Sequence, residues 1–173
     1  MNFMPISNWR WHGLALSAVL LDQASKSVIT QMFTLGEQAP ISSLFNLVYV
    51  LNPGAAFSFL ADAGGWQRYF LIVLALLVSA GLAFLLQTQR PRYEALGLSL
   101  ILGGAIGNVL DRMIMGKVVD FLDFHWKGMH WPAFNLADVF ISVGAWTLIW
   151  ISFREKQSKP TPGREVQSSP HAS

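Results

Sequence analysis

Four long apolar stretches limit what this chain can fold into more than any other feature of its sequence. They cover residues 11–33, 66–86, 95–109 and 137–153. Each is near the length that a helix needs to cross about 30 Å of hydrocarbon at about 1.5 Å per residue. Charged residues make up only 13% of the chain, which is too few to cover a soluble surface, since soluble domains carry about 25%. The pattern predicts an all-α integral membrane protein with four transmembrane helices.

The distribution of Lys and Arg predicts the orientation of these helices. Lys117 and Lys127 lie in the loops of one side, with Arg68 and Arg112 at helix ends. Because cytoplasmic flanks carry an excess of cations, both termini and the loop around Arg90 should be cytoplasmic and the long connections periplasmic. Seven cations flank this cytoplasmic side: Arg10, Arg90, Arg92, Arg154, Lys156, Lys159 and Arg164.

The chain divides into one transmembrane domain, residues 1–153, and a polar tail, residues 154–173. The tail is rich in Ser and Pro and lacks a hydrophobic period, which predicts a disordered cytoplasmic segment. The first apolar stretch follows Arg10 as a secretory signal would, but no A-x-A pattern follows it and apolar residues resume after Lys26. An uncleaved first helix is therefore expected.

Two connecting segments are too apolar to be free loops. Residues 34–65 include LFNLVYVLN at 44–52, a β-branched and aromatic run that predicts a strand in a small sheet resting on the membrane surface. Residues 117–132 mix Val, Phe and Trp with Asp and His. This mixture predicts an amphipathic periplasmic segment that lies in the membrane interface.

Asp120 and Asp138 are the strongest candidates for chemistry. Asp120 follows the third apolar stretch in KVVDF, and Asp138 opens the fourth in FNLAD, so both should lie near the outward ends of the helices. An ionisable group in a membrane segment is costly and indicates function by default. Two carboxyl groups that share a proton supply a base to activate water and an acid to protonate a scissile amide.

Each aspartate also has a structural interpretation. Asp138, three residues after Asn135, can form a helix cap, and the helix dipole would then keep it ionised, which suits a base as well. Asp120 could lie in a solvated interfacial turn, although its apolar neighbours argue against this. Asp62 and Asp123 are expected to face solvent.

Other polar and small residues fit structural roles. Asp22 and Lys26 are four residues apart on one helical face, so they can neutralise each other inside the bundle. A structural pair is preferred over a substrate role. Gly103 and Gly107 form a G-x-x-x-G pattern, which allows two helices to approach closely.

Other chemistries lack their parts in this sequence. The chain has no Cys, so a thiol nucleophile and thiolate metal sites are excluded. His125 and His130 could build a zinc site near Asp120, but their D-F-H-x4-H spacing matches no established ligand pattern. No metal or cofactor is therefore expected. There is no G-x-S-x-G for a serine mechanism and no basic, aromatic run for nucleic acid.

Two functions from other classes stay open at this point. A small transporter or proton channel could use the membrane acids and Lys26 as a relay, but relays place carboxylates near mid-membrane rather than at helix ends. A non-catalytic assembly protein could use Gly103 and Gly107 for contacts. That alternative leaves the paired acids unexplained.

Five sequence blocks, in order, resemble those of lipoprotein signal peptidases, also called signal peptidase II. They are LDQASK at 21–26, LNPGAAFSFL at 51–60, GGAIGNVLDR at 103–112, VVDF at 118–121 and FNLADVFI at 134–141. The resemblance implies four transmembrane helices, a periplasmic β-cradle, an amphipathic element before the last helix and hydrolysis without a metal. It places the catalytic aspartates on Asp120 and Asp138.

The same blocks imply further residues that line or support the site: Asn52, Gly54, Asn108, Arg112 and Asn135. Asn amides can donate to a peptide backbone or hold a carboxylate. Arg112 can pair with Asp111 or with a lipid phosphate, and an interfacial snorkelling cation is the alternative. Pro53 departs from the residue that many family members have there.

The resemblance also implies the reaction and its setting. The expected function is that of an intramembrane aspartyl endopeptidase, which cuts diacylglyceryl-modified prolipoproteins before the lipid-modified cysteine. Asp138 is expected to be the general base and Asp120 its proton-sharing partner, with the position of the shared proton left open. The partners are prolipoproteins and membrane lipids, and nucleic acid is not among them. A monomer in the bacterial inner membrane is expected, with its active site near the periplasmic face.

Overall fold

A computed structural model describes residues 6–55 and 63–158 of the chain. This part contains four helices, α1 (Ile6–Met32), α2 (Gln67–Leu85), α3 (Arg92–Ile114) and α4 (Leu136–Ser158), one for each predicted apolar stretch. Helix α4 continues five residues into the predicted disordered tail, because the sequence REKQS consists mainly of good helix formers. Residues 159–173 of the tail lie outside the described residues.

Three of the described helices are long and apolar enough to cross a membrane. They are α2, α3 and the part of α4 up to Arg154, with mean hydropathies of 2.2, 1.4 and 1.7 in their most apolar windows. Helix α1 has the length but not the apolar composition, because Asp22, Gln23 and Lys26 interrupt it. A membrane crossing by α1 therefore stays a prediction.

Helix α3 is the central helix and packs against α1, α2 and α4. Small residues let the backbones approach closely. A Cβ atom on Gly103 would lie 2.6 Å from the carbonyl oxygen of Ala15 in α1, and one on Gly104 would clash with that of Ala137 in α4. Any larger residue at these positions would force the helices apart, so the predicted packing role of Gly103 fits its surroundings.

A four-stranded antiparallel sheet covers one end of the helices. Its strands are β1 (Gln38–Ser42), β2 (Phe45–Asn52), β3 (Val118–Trp126) and β4 (Met129–His130), in that spatial order. The strand expected at 44–52 is therefore present as β2. The segment 117–132, expected as an amphipathic element, instead forms β3 and β4, because the β-branched and aromatic residues of β3 pair with β2 and β4 pairs with β3.

The sheet is fixed to the helices by a small apolar core. Val119 and Phe121 of β3 are buried against Ile29 of α1. Because successive strand residues point to opposite faces, Asp120 between them projects to the other side of β3. It is paired across the sheet with Val50 of β2.

Candidate active site

Asp120 and Asp138 come from different elements and line one cavity of about 680 Å³. Asp120 is carried by β3, and Asp138 lies in the first turn of α4. The remaining polar lining includes Asn52, Asn108 and Arg112, and most of the wall is apolar. The structure therefore brings the two predicted aspartates and three of the five predicted supporting residues to the lining of one cavity.

The carboxyl group of Asp120 is buried and held by two amides. The Nδ2 atom of Asn135 donates to its Oδ1 at 2.7 Å, and the Nδ2 atom of Asn52 donates to its Oδ2 at 3.1 Å. Burial raises the pKa of Asp120 to about 7, and the nearby negative charge of Asp138 acts in the same direction. The two amide donors oppose this shift only in part. Asp120 is therefore suited to hold a proton at neutral pH.

Asp138 and Asn135 cap the start of α4 reciprocally. The Asp138 N–H donates to Asn135 Oδ1 at 3.0 Å, and the Asn135 N–H donates to Asp138 Oδ2 at 3.3 Å. The other carboxylate oxygen of Asp138 accepts from Asn108 Nδ2 at 2.9 Å. The cap interpretation and the dyad interpretation therefore describe the same residue, and Asn135 connects them because its side chain also holds Asp120.

Arg112 is buried beside the site, and neither of its expected interactions is present in the described part of the chain. Its Nη2 donates to the carbonyl oxygen of Gly54 at 2.6 Å, and its Nη1 donates to that of Asn108 at 3.2 Å. Asp111 pairs with Lys26 instead, at 2.9 Å. With 8% of its surface exposed, Arg112 does not snorkel to lipid phosphates. The expected pairing with Asp111 was wrong because α3 turns Arg112 inward, where its charge acts on Asp120 and Asp138.

The segment LNPG at the end of β2 positions Asn52 and Gly54. The Gly54 N–H donates to Asn52 Oδ1 at 2.9 Å, so the amide nitrogen of Asn52 is left to face Asp120. Since the Gly54 carbonyl also accepts from Arg112, this turn links β2 to α3. Both residues therefore lie beside the dyad, and Gly54 makes its contacts through its backbone.

The structure places Asp22 and Lys26 in a buried ion pair of 2.8 Å. Asp111 of α3 is a second carboxylate on the same ammonium group. The pairing of Asp111 with Lys26 was not predicted from the sequence. The available signal is its spacing, because Asp111 lies four residues after Gly107 and three after Asn108 on one face of α3, and that face meets α1.

Asp123 is buried, so the expectation that it faces solvent was wrong. It accepts from Asn46 Nδ2 at 2.8 Å and pairs with His130 Nδ1 at 2.9 Å. The ring of His125 stacks on that of His130 with centroids 5.1 Å apart. Within the described ranges, no group of three or more His, Asp or Glu has the arrangement of a metal site. Asp62 lies outside the described residues.

Comparisons with solved structures place the fold among membrane proteins. A bacterial membrane enzyme solved by the in meso method at 2.3 Å superimposes with a TM-score of 0.77, covering 88% of this chain and 92% of that one, at 24% identity. A second such enzyme, solved at 1.9 Å, gives a TM-score of 0.71 at 26% identity, covering 82% and 91% of the two chains. Together with the apolar helices, these similarities identify a multi-pass integral membrane protein with a small sheet.

Sequence comparisons are more specific. The family model for signal peptidase (SPase) II matches residues 14–154. A lipoprotein signal peptidase of Aeromonas hydrophila is 51% identical over 160 residues, covering 90% of this chain and 96% of that protein. One of Cupriavidus necator is 55% identical over 140 residues, covering 80% of each. The chain therefore belongs to the signal peptidase II family.

Proposed function

We propose that this chain is an aspartyl endopeptidase that removes the signal peptide from diacylglyceryl-modified prolipoproteins. The cut falls before the lipid-modified cysteine, and Asp120 and Asp138 carry the reaction. One observation supports this assignment above the others: a buried and a partly buried aspartate line one cavity, held by amides, and neither forms an ion pair in the described part of the chain. Acids removed from water without an ion-pair contact are costly, and enzymes use them as proton donors and acceptors.

The surroundings of the two aspartates support different roles. Asp138 lies at the positive end of the α4 dipole, which stabilises its charged form. Asp120 has a pKa raised to about 7 by burial and so can hold the shared proton. Asp138 takes a proton from the attacking water, whose oxygen bonds to the scissile carbonyl carbon, while Asp120 protonates the carbonyl oxygen. Collapse of this intermediate breaks the C–N bond and returns a hydroxyl proton to Asp120, and the proton on Asp138 passes to the leaving amine.

The apolar wall of the cavity supports a lipid-modified, apolar substrate. Leu71, Leu74 and Val78 of α2 form one side, and Ile101 of α3 and Ile141 of α4 form others. Such a surface binds acyl chains and a hydrophobic signal peptide by burial of apolar area. The amides of Asn52 and Asn108 at the same cavity are placed to act as hydrogen-bond partners of a peptide backbone.

The polar residues of α1 are compatible with a fourth membrane crossing. Asp22 and Lys26 are buried and neutralised inside the bundle, so the groups that lower the hydropathy of α1 do not face hydrocarbon. With four crossings, the cation asymmetry puts both termini in the cytoplasm and the sheet and the dyad on the periplasmic side of a bacterial inner membrane. A monomer stays part of this proposal.

Purified protein in detergent and a diacylglyceryl-modified precursor peptide test the proposal. The parent protein should cut before the modified cysteine, and a precursor without the lipid should be cut far less. Activity should persist with a chelator. Activity that disappears with the chelator would refute the dyad in favour of a metal mechanism.

A further inference from the structure

The ammonium group of Lys26 is fully used inside the bundle. Its Nζ contacts Asp22 Oδ2 at 2.8 Å, Asp111 Oδ2 at 2.9 Å and Asn108 Oδ1 at 3.1 Å. These three acceptors match the three N–H donors of an ammonium group. A buried ammonium needs acceptors for all three donors whatever its role. The role of Lys26 is therefore argued from what these three acceptors hold in turn.

Both carboxylates of this cluster also hold the backbone beside a proposed catalytic aspartate. Asp22 Oδ1 accepts from the N–H of Ala137 at 2.9 Å, and Ala137 immediately precedes Asp138. Asp111 Oδ2 accepts from the N–H of Val119 at 3.2 Å, and Val119 immediately precedes Asp120. One lysine therefore joins the two points of backbone from which the dyad projects.

The third contact determines how Asn108 presents its amide to Asp138. Lysine can only donate, so the carbonyl side of the amide, Oδ1, must face Lys26. The Nδ2 side is then left to donate to Asp138 at 2.9 Å. A flipped amide would put an N–H group against an ammonium and an oxygen against a carboxylate. Without Lys26, the flip would be opposed by the hydrogen bond from Asn135 Nδ2 to Oδ1, at 3.2 Å, and by the contact of Nδ2 with Asp138, so Lys26 supplies one of three restraints among the contacts of the described residues.

We propose that Lys26 is a positioning residue for the dyad, not only half of a structural ion pair. It acts through Asn108 on Asp138, and through the carboxylates of Asp22 and Asp111 on the backbone before each catalytic aspartate. This inference rests on the proposed function, because it concerns the rate of that reaction. Displacing a reacting group by about 1 Å can cost about 100-fold in rate even when binding is unchanged.

The first experiment separates kcat from KM in Lys26→Met. We expect kcat to fall about 10 to 100-fold while KM stays within about 2-fold, because Lys26 is not part of the cavity lining. The matched control is Arg90→Met, which removes the cation of another i,i+4 ion pair, with Glu94, at the opposite end of α3 from Asn108 and Arg112. That variant should keep the parent kcat. The folded fraction is measured by thermal unfolding in the same detergent.

Removal of a buried cation leaves two buried carboxylates and can prevent folding. The double variant Lys26→Met with Asp22→Asn avoids this problem, because the cluster keeps its net charge of one negative. The amide oxygen introduced at position 22 can still accept from the Ala137 N–H. This variant should fold and should still lose kcat. If neither variant accumulates in a folded state, the cluster is structural and the proposal is wrong.

A double-mutant cycle tests whether Lys26 acts through Asn108. Asn108→Leu alone should lower kcat, and adding Lys26→Met should lower it by a smaller factor than in the parent, since the amide to be oriented is already gone and only the route through Asp22 and Asp111 remains. If the losses in kcat of the two single variants multiplied in the double variant, the proposed route through Asn108 would be overturned. A parent-like kcat in folded Lys26→Met would overturn it too. If the parent protein itself does not cut the lipid-modified precursor, it is the proposed function that fails.

Discussion

The two groups of inward-facing carboxylates in this molecule have opposite surroundings. Asp22 and Asp111 share the ammonium of Lys26 away from the cavity, so each forms an ion pair. Asp120 and Asp138 line the cavity and receive hydrogen bonds from neutral amides. Asp120 is as deeply buried as Asp22 and Asp111, so burial alone does not separate structural from reactive acids.

The two groups differ in their partners: Asp22 and Asp111 form ion pairs with a cation, whereas Asp120 and Asp138 do not. A carboxylate beside a buried cation forms an ion pair, and removal of either partner leaves an uncompensated buried charge. A carboxylate that receives only amide hydrogen bonds is stabilised less and can exchange a proton near neutral pH. The first group holds the backbone in place and the second is free to react, and each depends on the other.

The largest expected effect comes from removing one acid of the group without ion pairs. Asp120→Asn or Asp138→Asn keeps size and most hydrogen bonding but cannot take up a proton, so turnover should fall at least 10² to 10⁴-fold. Binding of the precursor and the thermal unfolding midpoint should be retained. Cleavage assays with purified variants measure the first, and unfolding in detergent measures the second.

Asp123→Asn is the matched control, because it removes an acid from the same strand that does not line the cavity. It should keep most activity. If Asp123→Asn were inactive while Asp120→Asn cut the precursor normally, the dyad assignment would be refuted. An Asp138→Asn variant that lost its folded state would instead indicate that the helix cap is its main role.

A smaller effect is expected from crowding the ion-paired group. A Cβ atom on Gly107 would lie 2.5 Å from Asp22 Oδ2, so Gly107→Ala should push Asp22 from Lys26 and from the Ala137 N–H. Overpacking of this kind costs about 1–3 kcal/mol of the free energy of unfolding, and we expect a lower kcat as well. Thermal unfolding and steady-state kinetics measure both.

The control for this change is Gly81→Ala in α2. No atom lies within 4 Å of a Cβ built at Gly81, so the same substitution should cost no stability and leave kcat unchanged. If Gly107→Ala and Gly81→Ala had the same stability and the same kcat, the ion cluster would not require a glycine at position 107.

The pH dependence of the reaction tests whether Asp120 holds the shared proton. Since the pKa of Asp120 is raised to about 7, kcat/KM should fall as the pH rises through that value and Asp120 loses its proton. Asn52→Ala removes a hydrogen bond that favours the charged form, so the pKa of Asp120 should rise and the alkaline limb should move to higher pH. Profiles of kcat/KM between about pH 5 and 9 measure the position of this limb.

Asn46→Ala is the control on the same strand, because its amide donates to Asp123 rather than to Asp120. Its alkaline limb should coincide with that of the parent. A limb that moves to lower pH in Asn52→Ala, or that moves equally in both variants, would contradict the assignment of the proton to Asp120.

The sequence predicts the elements of this fold better than the contacts between them. Helix α2 and strand β2 follow from local composition, and Asp120 and Asp138 stand out because acids in apolar segments are rare. The pairing of Asp111 with Lys26 and the inward turn of Arg112 depend on which faces of α1 and α3 meet. Local sequence does not encode that choice. The expectation for Asp123 was wrong for the same reason, since its partner Asn46 lies 77 residues away on β2.

The smallest expected effect concerns the stability of the hairpin formed by β3 and β4. Burial alone would raise the pKa of Asp123, but hydrogen bonds from Asn46 and His130 and the charges of both histidines outweigh it and lower that pKa. A lowered pKa means that this contribution to stability is complete above the ordinary value of 3.8 and is lost as the pH falls through the lower, folded-state pKa. Asp120, with its raised pKa, has the opposite sign, and its contribution is lost as the pH rises from 3.8 to about 7.

Asp123→Asn should therefore lower the free energy of unfolding by about 1 kcal/mol or less, because His130 is half exposed and the pair is screened. Unfolding of the parent and of Asp123→Asn at pH 7 and at pH 3 measures this loss, which should shrink at pH 3. A loss that grew at pH 3 would contradict the sign, and a loss of activity at pH 7 without unfolding would place Asp123 with the reactive acids.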